Sequence, residues 1–363
     1  MNYRIHFILF ILLSGALSVQ AQEMSDSKTF RRAFRVGNDP VLEVNNKYGD
    51  IQISHTNRDS ISIRVEVTAT SNKEDKLDDM LSDVDISINK TSEMVRAETI
   101  FTKGVTPLFE SIKGLTKNII NYESRLKVDY YIECPRSTIF RVTNSYGNVY
   151  IGDDIPELTL KLSNGSLDAG TVINAPQLEL IFCKANVRSI KKGDIILSFS
   201  ELRTKETEDI KLTSMSSKVW IDKCGTTDID SKSDDLSFGD ASVITGEAYF
   251  SDINTGKLGD ELSLSLKYGN LSCENIAEGF SMIDIKSSYT DVDLLMPVKA
   301  SYTFDIHHTN AFVSISGITP EPERTTVNEE NKTYITSGRY GNSPDKSKIR
   351  IEASRGEIRI VQK

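Results

Sequence analysis

The sequence predicts an all-β protein: a single-chain, β-helix-like β-solenoid of about twelve coils, with an inserted strand and helix subdomain near the N-terminus. The first observation is a recurring pattern of a β-like run, a small residue, one polar residue and a new apolar alternation. Its clearest copies are VTNSYGNVYI at 142–151, LKLSNGSLDA at 160–169, LSLKYGNLSC at 264–273 and IEASRGEIRI at 351–360. Repeats of this kind are typical of stacked solenoids.

The second observation is the regular spacing of apolar residues around that pattern. We define position zero as the first apolar residue after each turn. From Val149 to Val313 these residues follow at steps of 15 to 21 residues, which accommodates two strands of about five residues and their corners. Position zero holds Ile51, Val149, Leu167, Val187, Leu202, Val219, Leu236, Ile253, Leu271, Val292, Val313 and Ile358. Positions +2, −7 and −9 are also mostly apolar, as expected for strands with alternate side chains inward.

The third observation is a column of small residues at position −2. Eleven of its twelve members are small and Asp234 is the exception. A tight corner stacked on its own copy leaves little room for a side chain, and glycine also permits positive φ. An antiparallel sandwich would not require small residues in one fixed register, so this column favours the solenoid.

The N-terminus has the features of a signal peptide. Arg4 precedes an apolar stretch from Phe7 to Leu17, and Val19–Ala21 is a small-residue cleavage site. We therefore expect an exported protein, in the periplasm or at the cell surface. No later segment reaches the roughly 20 apolar residues of a membrane-spanning helix, so we expect the mature chain not to span the membrane.

The charge of the chain argues against nucleic acid as a partner. The formal net charge is −9, and loss of Arg4, the only charge in residues 1–21, changes it to −10. Binding to phosphate needs clustered Lys and Arg.

The expected domain organisation follows from where the repeat is present and where it is interrupted. The predicted segments are a signal peptide at 1–21, a first coil region at 22–58, an inserted α+β cap subdomain at 59–135, a β-solenoid at 136–318, a polar loop or hairpin at 319–345 and a terminal coil at 346–363. Within the insertion, Asn72 is expected to cap a short helix, and a second helix is expected from Pro107 to about Ile120. We expect the insertion to cover one open end of the solenoid, because open ends expose unpaired strand edges.

The four cysteines are predicted to be free, mostly buried thiols. In this register Cys183 is at −4, Cys224 at +5 and Cys273 at +2, while Cys134 lies outside the repeat. Only equivalent positions of stacked coils come close enough for a disulfide, and no two cysteines share a column.

Two further columns are candidate binding features. Position −1 collects the acids Glu201, Asp235, Asp252, Asp291 and Glu357, which could hold Ca²⁺ but are more typical of a solvated edge. Position −3 collects the aromatic residues Tyr48, Tyr146, Phe199, Phe250, Tyr268 and Tyr289. These rings could stack on sugars, but we interpret them first as a corner column in which ring packs on ring.

No catalytic, cofactor-binding or metal-binding residue is assigned. His307 and His308 are adjacent, so in a strand they point to opposite faces, and His308 is expected to be a hydrogen-bonding corner residue. The motifs Gly-x-Ser-x-Gly and His-Glu-x-x-His are absent from the sequence. Asp291 and Asp293 flank Val292 on its outward side and are the best carboxylate pair for a carbohydrate-active β-helix enzyme. No cluster extends from them in the predicted register, and we expect them to face solvent.

The motifs VNNKYGDIQI at 44–53 and VTNSYGNVYI at 142–151 resemble those of a putative-adhesin domain family of unknown function, related to auto-transporter adhesin head domains. The segment VDYYIECP at 128–135 is similar to that family's strand before its repeats. The resemblance covers roughly residues 40–360. It implies a β-solenoid in the bacterial cell envelope and no established binding residues.

The function expected from these observations is a non-catalytic, exported β-solenoid that acts as an adhesin-like binding element or a structural element of the cell envelope. Its partner is unknown and is expected to be an envelope protein or a glycan. Two alternatives stay open: a carbohydrate-active β-helix enzyme, and a periplasmic partner in envelope signalling, which is an analogy alone.

Overall fold

A computed structural model describes residues 23–92, 94–102, 124–317 and 321–362. It confirms the predicted fold class, because these residues form an all-β solenoid with long parallel strands. One α-helix, α1 (Glu74–Ser82), occurs in the described ranges. The predicted signal peptide at 1–21 and the predicted helix at 107–120 lie outside the described residues.

The strands follow the chain with few interruptions. They are β1 (Met24–Arg35), β2 (Val41–Lys47), β3 (Ile51–Thr56), β4 (Ser60–Ser71), β5 (Val84–Lys90), β6 (Met94–Phe101), β7 (Ser124–Pro135), β8 (Ile139–Ser145), β9 (Val149–Ile151), β10 (Ile155–Ser163), β11 (Ser166–Ile181), β12 (Lys184–Ser198), β13 (Glu201–Met215), β14 (Lys218–Lys232), β15 (Asp235–Tyr249), β16 (Asp252–Cys273), β17 (Met282–Met296), β18 (Tyr302–Thr309), β19 (Phe312–Ser316), β20 (Glu323–Asn328), β21 (Thr333–Tyr340), β22 (Lys348–Ser354) and β23 (Glu357–Gln362).

The central coils show how the solenoid is built. Strands β12 to β15 have 15 residues each and pair in parallel, with every residue opposite the one 17 positions further on. Equivalent inward residues of successive coils therefore stack on each other. Leu202, Val219 and Leu236, for example, are fully buried in one continuous column. Each buried aliphatic side chain stabilises the fold by roughly 1.5–3 kcal/mol relative to exposure, so these columns form the core.

The register predicted for one coil is wrong by two residues. Leu167 pairs with Ala185, and Val187 pairs with Ala169 at position +2. A shift of two residues keeps every side chain on the same face of a strand, so apolar alternation cannot detect it. Position zero in this coil is Ala185, which moves Cys183 from −4 to −2.

The positive φ angle of the corner lies at position −3 in every coil, whereas at position −2, where the small residues suggested it, only Gly356 has a positive φ, of 94°. All twelve residues at −3 adopt φ between 50° and 66°: Tyr48, Tyr146, Asn164, Phe182, Phe199, Ser216, Ser233, Phe250, Tyr268, Tyr289, Asn310 and Arg355. Position −2 is small for the other predicted reason, close stacking. A Cβ atom on Gly147 would lie 1.9 Å from the carbonyl oxygen of Gly49 in the adjacent coil.

In the central coils a hydrogen-bond ladder runs through position −2. The N–H of Cys183 donates to Ser200 Oγ at 3.0 Å, and the N–H of Ser200 donates to Ser217 Oγ at 3.1 Å. The N–H of Ser217 then donates to Asp234 Oδ1 at 2.7 Å, and the N–H of Asp234 donates to Ser251 Oγ at 3.1 Å. Each small polar side chain thus satisfies a buried backbone donor of its neighbour.

Asp234, the one exception to small size, is the best-bonded member of this ladder. Its Oδ2 accepts hydrogen bonds from the hydroxyls of Ser214 and Ser231, both at 2.7 Å, and from the N–H of Lys232 at 2.9 Å. Its side chain is buried. Four donors in total compensate for the burial of this carboxylate.

The stacking order at the C-terminal end differs from the chain order. Strand β22 pairs with β17 and β18, and β23 pairs with β17 and β19. The terminal coil therefore lies between two earlier ones, with Ile358 between Val292 and Val313. The sequence alone predicts winding in chain order, because nothing local marks the insertion.

The stacking order also differs from the chain order near the first coil. Val95 on β6 pairs with Leu42, and Tyr130 on β7 pairs with Ile51. Two strands from the segment that the sequence assigns to an inserted subdomain are therefore in register with the solenoid.

Antiparallel pairing covers the free edge of β18, in the coil at the C-terminal end of the stack. Strands β20 and β21 form a hairpin within the segment predicted as a polar loop or hairpin. β21 pairs antiparallel with β18, from Tyr302 opposite Tyr340 to Thr309 opposite Thr333.

The chain divides into two compact units. The smaller is Met1–Thr29, Glu66–Asp85 and Ile100–Lys127, and the larger is Phe30–Val65, Ile86–Thr99 and Val128–Lys363. The smaller unit contains α1, whose Leu77 and Leu81 are buried as their helical spacing predicts.

The prediction that Asn72 caps this helix is wrong. The helix begins at Glu74, and its cap residue Lys73 makes no side-chain hydrogen bond. Lys28 Nζ donates to the carbonyl of Leu81 at 2.7 Å near the other end of the helix.

All four cysteines are free and buried, as predicted. Burial raises the pKa of Cys134 and Cys224 to about 11 and that of Cys273 to about 12, and it also raises the pKa of Cys183. The reactive thiolate is therefore scarce near neutral pH.

We predict that none of the four thiols reacts with Ellman's reagent in the native protein at pH 8, and that all four react after denaturation without reductant. Because the folded thiols titrate above the ordinary value of 9.0, their contribution to stability is complete below that pH. It is lost as the pH rises toward 11, and chemical denaturation across this range measures the loss. Rapid reaction in the native state would contradict the buried placement.

We predict that Asp234→Ala strongly destabilises the protein, because it leaves buried donors without an acceptor at roughly 1–3 kcal/mol each. The matched control is Asp235→Ala, one residue further on, where the exposed side chain should cost no more than about 0.5 kcal/mol. Denaturant unfolding of both variants measures the difference, and equal losses would show that the ladder at position −2 is not stabilising.

Candidate ligand-binding ridge

The corner residue at position −3 projects into solvent. Seven of the twelve residues in this column are aromatic, and together they define the aromatic ridge: Tyr48, Tyr146, Phe182, Phe199, Phe250, Tyr268 and Tyr289. Six of them are exposed, with 37% to 57% of their surface accessible. Sequence reasoning found all except Phe182, which the two-residue register error had placed in another column.

Rings of consecutive coils stack on each other. The centroid distances are 5.5 Å for Tyr48 and Tyr146 and 4.9 Å for Phe182 and Phe199. The ring pairs within the third stack are 4.8 Å and 5.1 Å apart, from Phe250 through Tyr268 to Tyr289. The predicted packing of ring on ring is therefore confirmed, with separations inside the range of favourable aromatic pairs.

Three polar residues interrupt the ridge. Asn164 separates the first stack from the second, and Ser216 and Ser233 separate the second from the third. All three share the left-handed backbone of their aromatic neighbours, so the coil sets the conformation and the side chain is free to vary.

Cationic side chains accompany the rings. Lys47 Nζ lies 4.7 Å from the Tyr48 ring centroid, and Lys267 Nζ lies 5.5 Å from that of Tyr268. The Arg355 guanidinium lies 4.7 Å from the Tyr289 centroid and also donates a hydrogen bond to its hydroxyl. The ridge thus combines ring edges, hydroxyl groups and positive charge on one rigid corner.

The acidic residues at position −1 interact with different partners. Glu201 pairs with Lys184 at 3.8 Å, and Asp252 accepts a hydrogen bond from the Asn270 amide at 2.7 Å. Within the described ranges, no group of three or more His, Cys, Asp and Glu side chains is arranged to hold a metal ion.

In the carboxylate pair considered for catalysis, Asp293 forms an ion pair that winding in chain order did not predict. Arg359, on the inserted terminal coil, binds both oxygens of Asp293, with Nη2 2.5 Å from Oδ2. Asp291 Oδ1 accepts the N–H of Glu357 at 2.8 Å. The register from sequence placed Ser314 beside Asp293, so it missed this ion pair.

The two histidines lie on opposite faces, as predicted. His308 is buried, and its ring nitrogens lie 3.2 Å from the Ala311 carbonyl and 3.2 Å from Thr336 Oγ1. Burial lowers its pKa, with a smaller contribution from Arg324 in the same direction. His307 is exposed beside Asp305 at 3.2 Å.

A second exposed feature is an open groove of about 870 Å³ on the outer face of the first coils. Its lining includes Arg31, Gln52, Tyr131 and Tyr150, and Arg64, whose guanidinium lies 3.9 Å from the Tyr131 ring centroid. None of the residues that line this groove belongs to the corner column, so Tyr150 serves as a reference for an exposed aromatic residue outside the ridge.

Two of the solved structures that are similar to this chain are described here. A putative cell adhesion protein from Clostridium sporogenes is 12% identical, with a TM-score of 0.17, and the alignment covers 93% of this chain and 100% of that one. A putative adhesin from Bacteroides fragilis is 12% identical, with a TM-score of 0.26, covering 93% of this chain and 97% of that one. No protein-family model and no curated protein matches the chain.

Among the described residues, no helix is long and apolar enough to cross a membrane.

Proposed function

We propose that this protein is an exported, non-catalytic binding element of the bacterial cell envelope, adhesin-like in role, whose aromatic ridge contacts carbohydrate. The observation that carries the proposal is the row of exposed rings along one corner of the solenoid. Exposed apolar surface that is contiguous and bordered by polar groups is typical of interaction sites.

The scaffold beneath the ridge favours binding. Each ring stands on a corner whose backbone is fixed by hydrogen bonds to the next coil, for example from the Phe182 N–H to the Ser198 carbonyl at 3.0 Å. A rigid, preorganised surface loses little conformational entropy when a ligand binds. The outer faces of the rings that end each stack pack against the C–H groups of sugars, while Lys47 and Lys267 are available to sugar oxygens.

The expected export agrees with this role. The signal peptide predicted at 1–21 would deliver the chain to the periplasm or the cell surface, where glycans and envelope proteins are the accessible partners. The names of the two structural neighbours described above refer to adhesion, which is also a binding role.

We predict that the double variant Phe182→Ser and Phe199→Ser loses at least about tenfold in affinity for the glycans that the mature protein binds on an array. Serine is already present at this position in two coils, at Ser216 and Ser233, so the fold accepts it. The matched control is Tyr150→Ser, which removes an exposed ring outside the ridge and should leave binding unchanged. Melting temperatures of both variants report on folding.

An array on which the wild-type protein binds no glycan would overturn the carbohydrate proposal. Loss of binding in the Tyr150→Ser control, with binding retained in the double variant, would place the site in the groove instead of on the ridge.

A further inference from the structure

The first interruption of the ridge has the width of one ring. Tyr146 and Phe182 are separated by a single coil, which carries Asn164 in place of an aromatic residue. Adjacent coils lie about 4.8 Å apart, so the two ring positions are about 10 Å apart. Where the ridge is continuous, neighbouring centroids are 4.8 to 5.5 Å apart.

We infer that this gap is a binding slot for a single uncharged pyranose ring of a glycan. The inference rests on the proposed function and specifies where on the ridge the sugar binds. A ring inserted above Asn164 would have Tyr146 on one side and Phe182 on the other, each at about the spacing that the ridge uses between its own rings. The bound sugar would complete the stack.

The base of the slot carries a free polar group. The Asn164 side chain is exposed and forms no hydrogen bond with the described part of the chain. Its amide offers both a donor and an acceptor, which suits adjacent sugar hydroxyls. The neighbouring hydroxyls are already engaged, since Ser163 Oγ donates to Ser145 Oγ at 2.8 Å.

The surroundings of the slot favour an uncharged ligand. Lys161 and Lys184, on the coils that carry Asn164 and Phe182, are held in ion pairs, 3.7 Å from Glu179 and 3.8 Å from Glu201. Lys47 lies further out, 5.9 Å from the Tyr146 ring centroid. A neutral sugar needs only the amide and the two ring faces, and it leaves both ion pairs in place.

The second interruption does not provide an equivalent slot. Ser216 and Ser233 occupy two successive coils, so Phe199 and Phe250 are about 14 Å apart. One sugar ring cannot contact both faces across that distance. The slot is therefore specific to Asn164, and Ser216 provides a matched control position.

The test fills the slot with a protein ring. Asn164→Phe should extend the stack from Tyr146 to Phe182, and Ser216→Phe should extend the second stack by one ring without touching the slot. Both variants place phenylalanine in the backbone conformation that Phe182 and Phe199 already adopt, so both should fold. Saturation-transfer NMR would use the methyl β-glycosides of glucose, galactose and N-acetylglucosamine as probes.

We expect saturation transfer to the ring protons of at least one probe with the wild type and with Ser216→Phe. In Asn164→Phe it should fall at least tenfold, while the melting temperature stays equal or rises. Undiminished transfer in Asn164→Phe, or none to any probe with the wild type, would overturn the slot. If array binding still depends on Phe182 and Phe199 in that case, the ridge proposal stands and only the slot fails.

Discussion

The structure depends on one constraint: the chain must turn a corner in every coil without breaking the hydrogen-bond ladder between coils. The left-handed residue at position −3 meets this constraint. Its N–H donates to the carbonyl at position −4 of the next coil, as from Phe199 to Met215 at 2.9 Å. The same conformation places the −3 side chain in solvent and brings the −2 residue against its neighbour. Small residues at −2 and a solvent-exposed column at −3 are two consequences of one turn.

This constraint also explains why aromatic residues can occupy the corner. A left-handed conformation costs an L-residue about 1–2 kcal/mol, but the coil imposes it equally on Ser216 and on Phe199. The choice of side chain therefore depends on what the side chain contacts. Each stacked pair contributes about 0.5–1.5 kcal/mol, and the exposed ring surface stays available to a ligand. A binding surface can arise in this way without any change to the fold beneath it.

Much of the fold follows from the sequence because its determinants are local and repeated. The small column, the inward apolar columns, the free thiols and the corner role of His308 all depend on the spacing within one coil. Three features could not be predicted. Val187 and Ala185 share a face, so alternation does not distinguish them, and this error hid Phe182. The place of the terminal coil depends on pairing across 66 residues, between Asp293 and Arg359, which no local pattern encodes. The positive φ at −3 falls mostly on aromatic and serine residues, which do not favour the left-handed region, and only Asn164 and Asn310 in this column are of a type that does.

Cross-linking across stacked coils tests most directly the claim that the coils stack in register, with the terminal coil between two earlier ones. In the order described here, Asp293 and Arg359 occupy the same outward column of adjacent coils, and Ser314 lies one coil beyond. A disulfide needs Cα atoms within about 7 Å, which adjacent coils satisfy and coils two steps apart do not. Under mild oxidation, Asp293→Cys with Arg359→Cys should form an intramolecular disulfide, and Asp293→Cys with Ser314→Cys should not. The reverse result would show that the coils stack in chain order and would contradict the account.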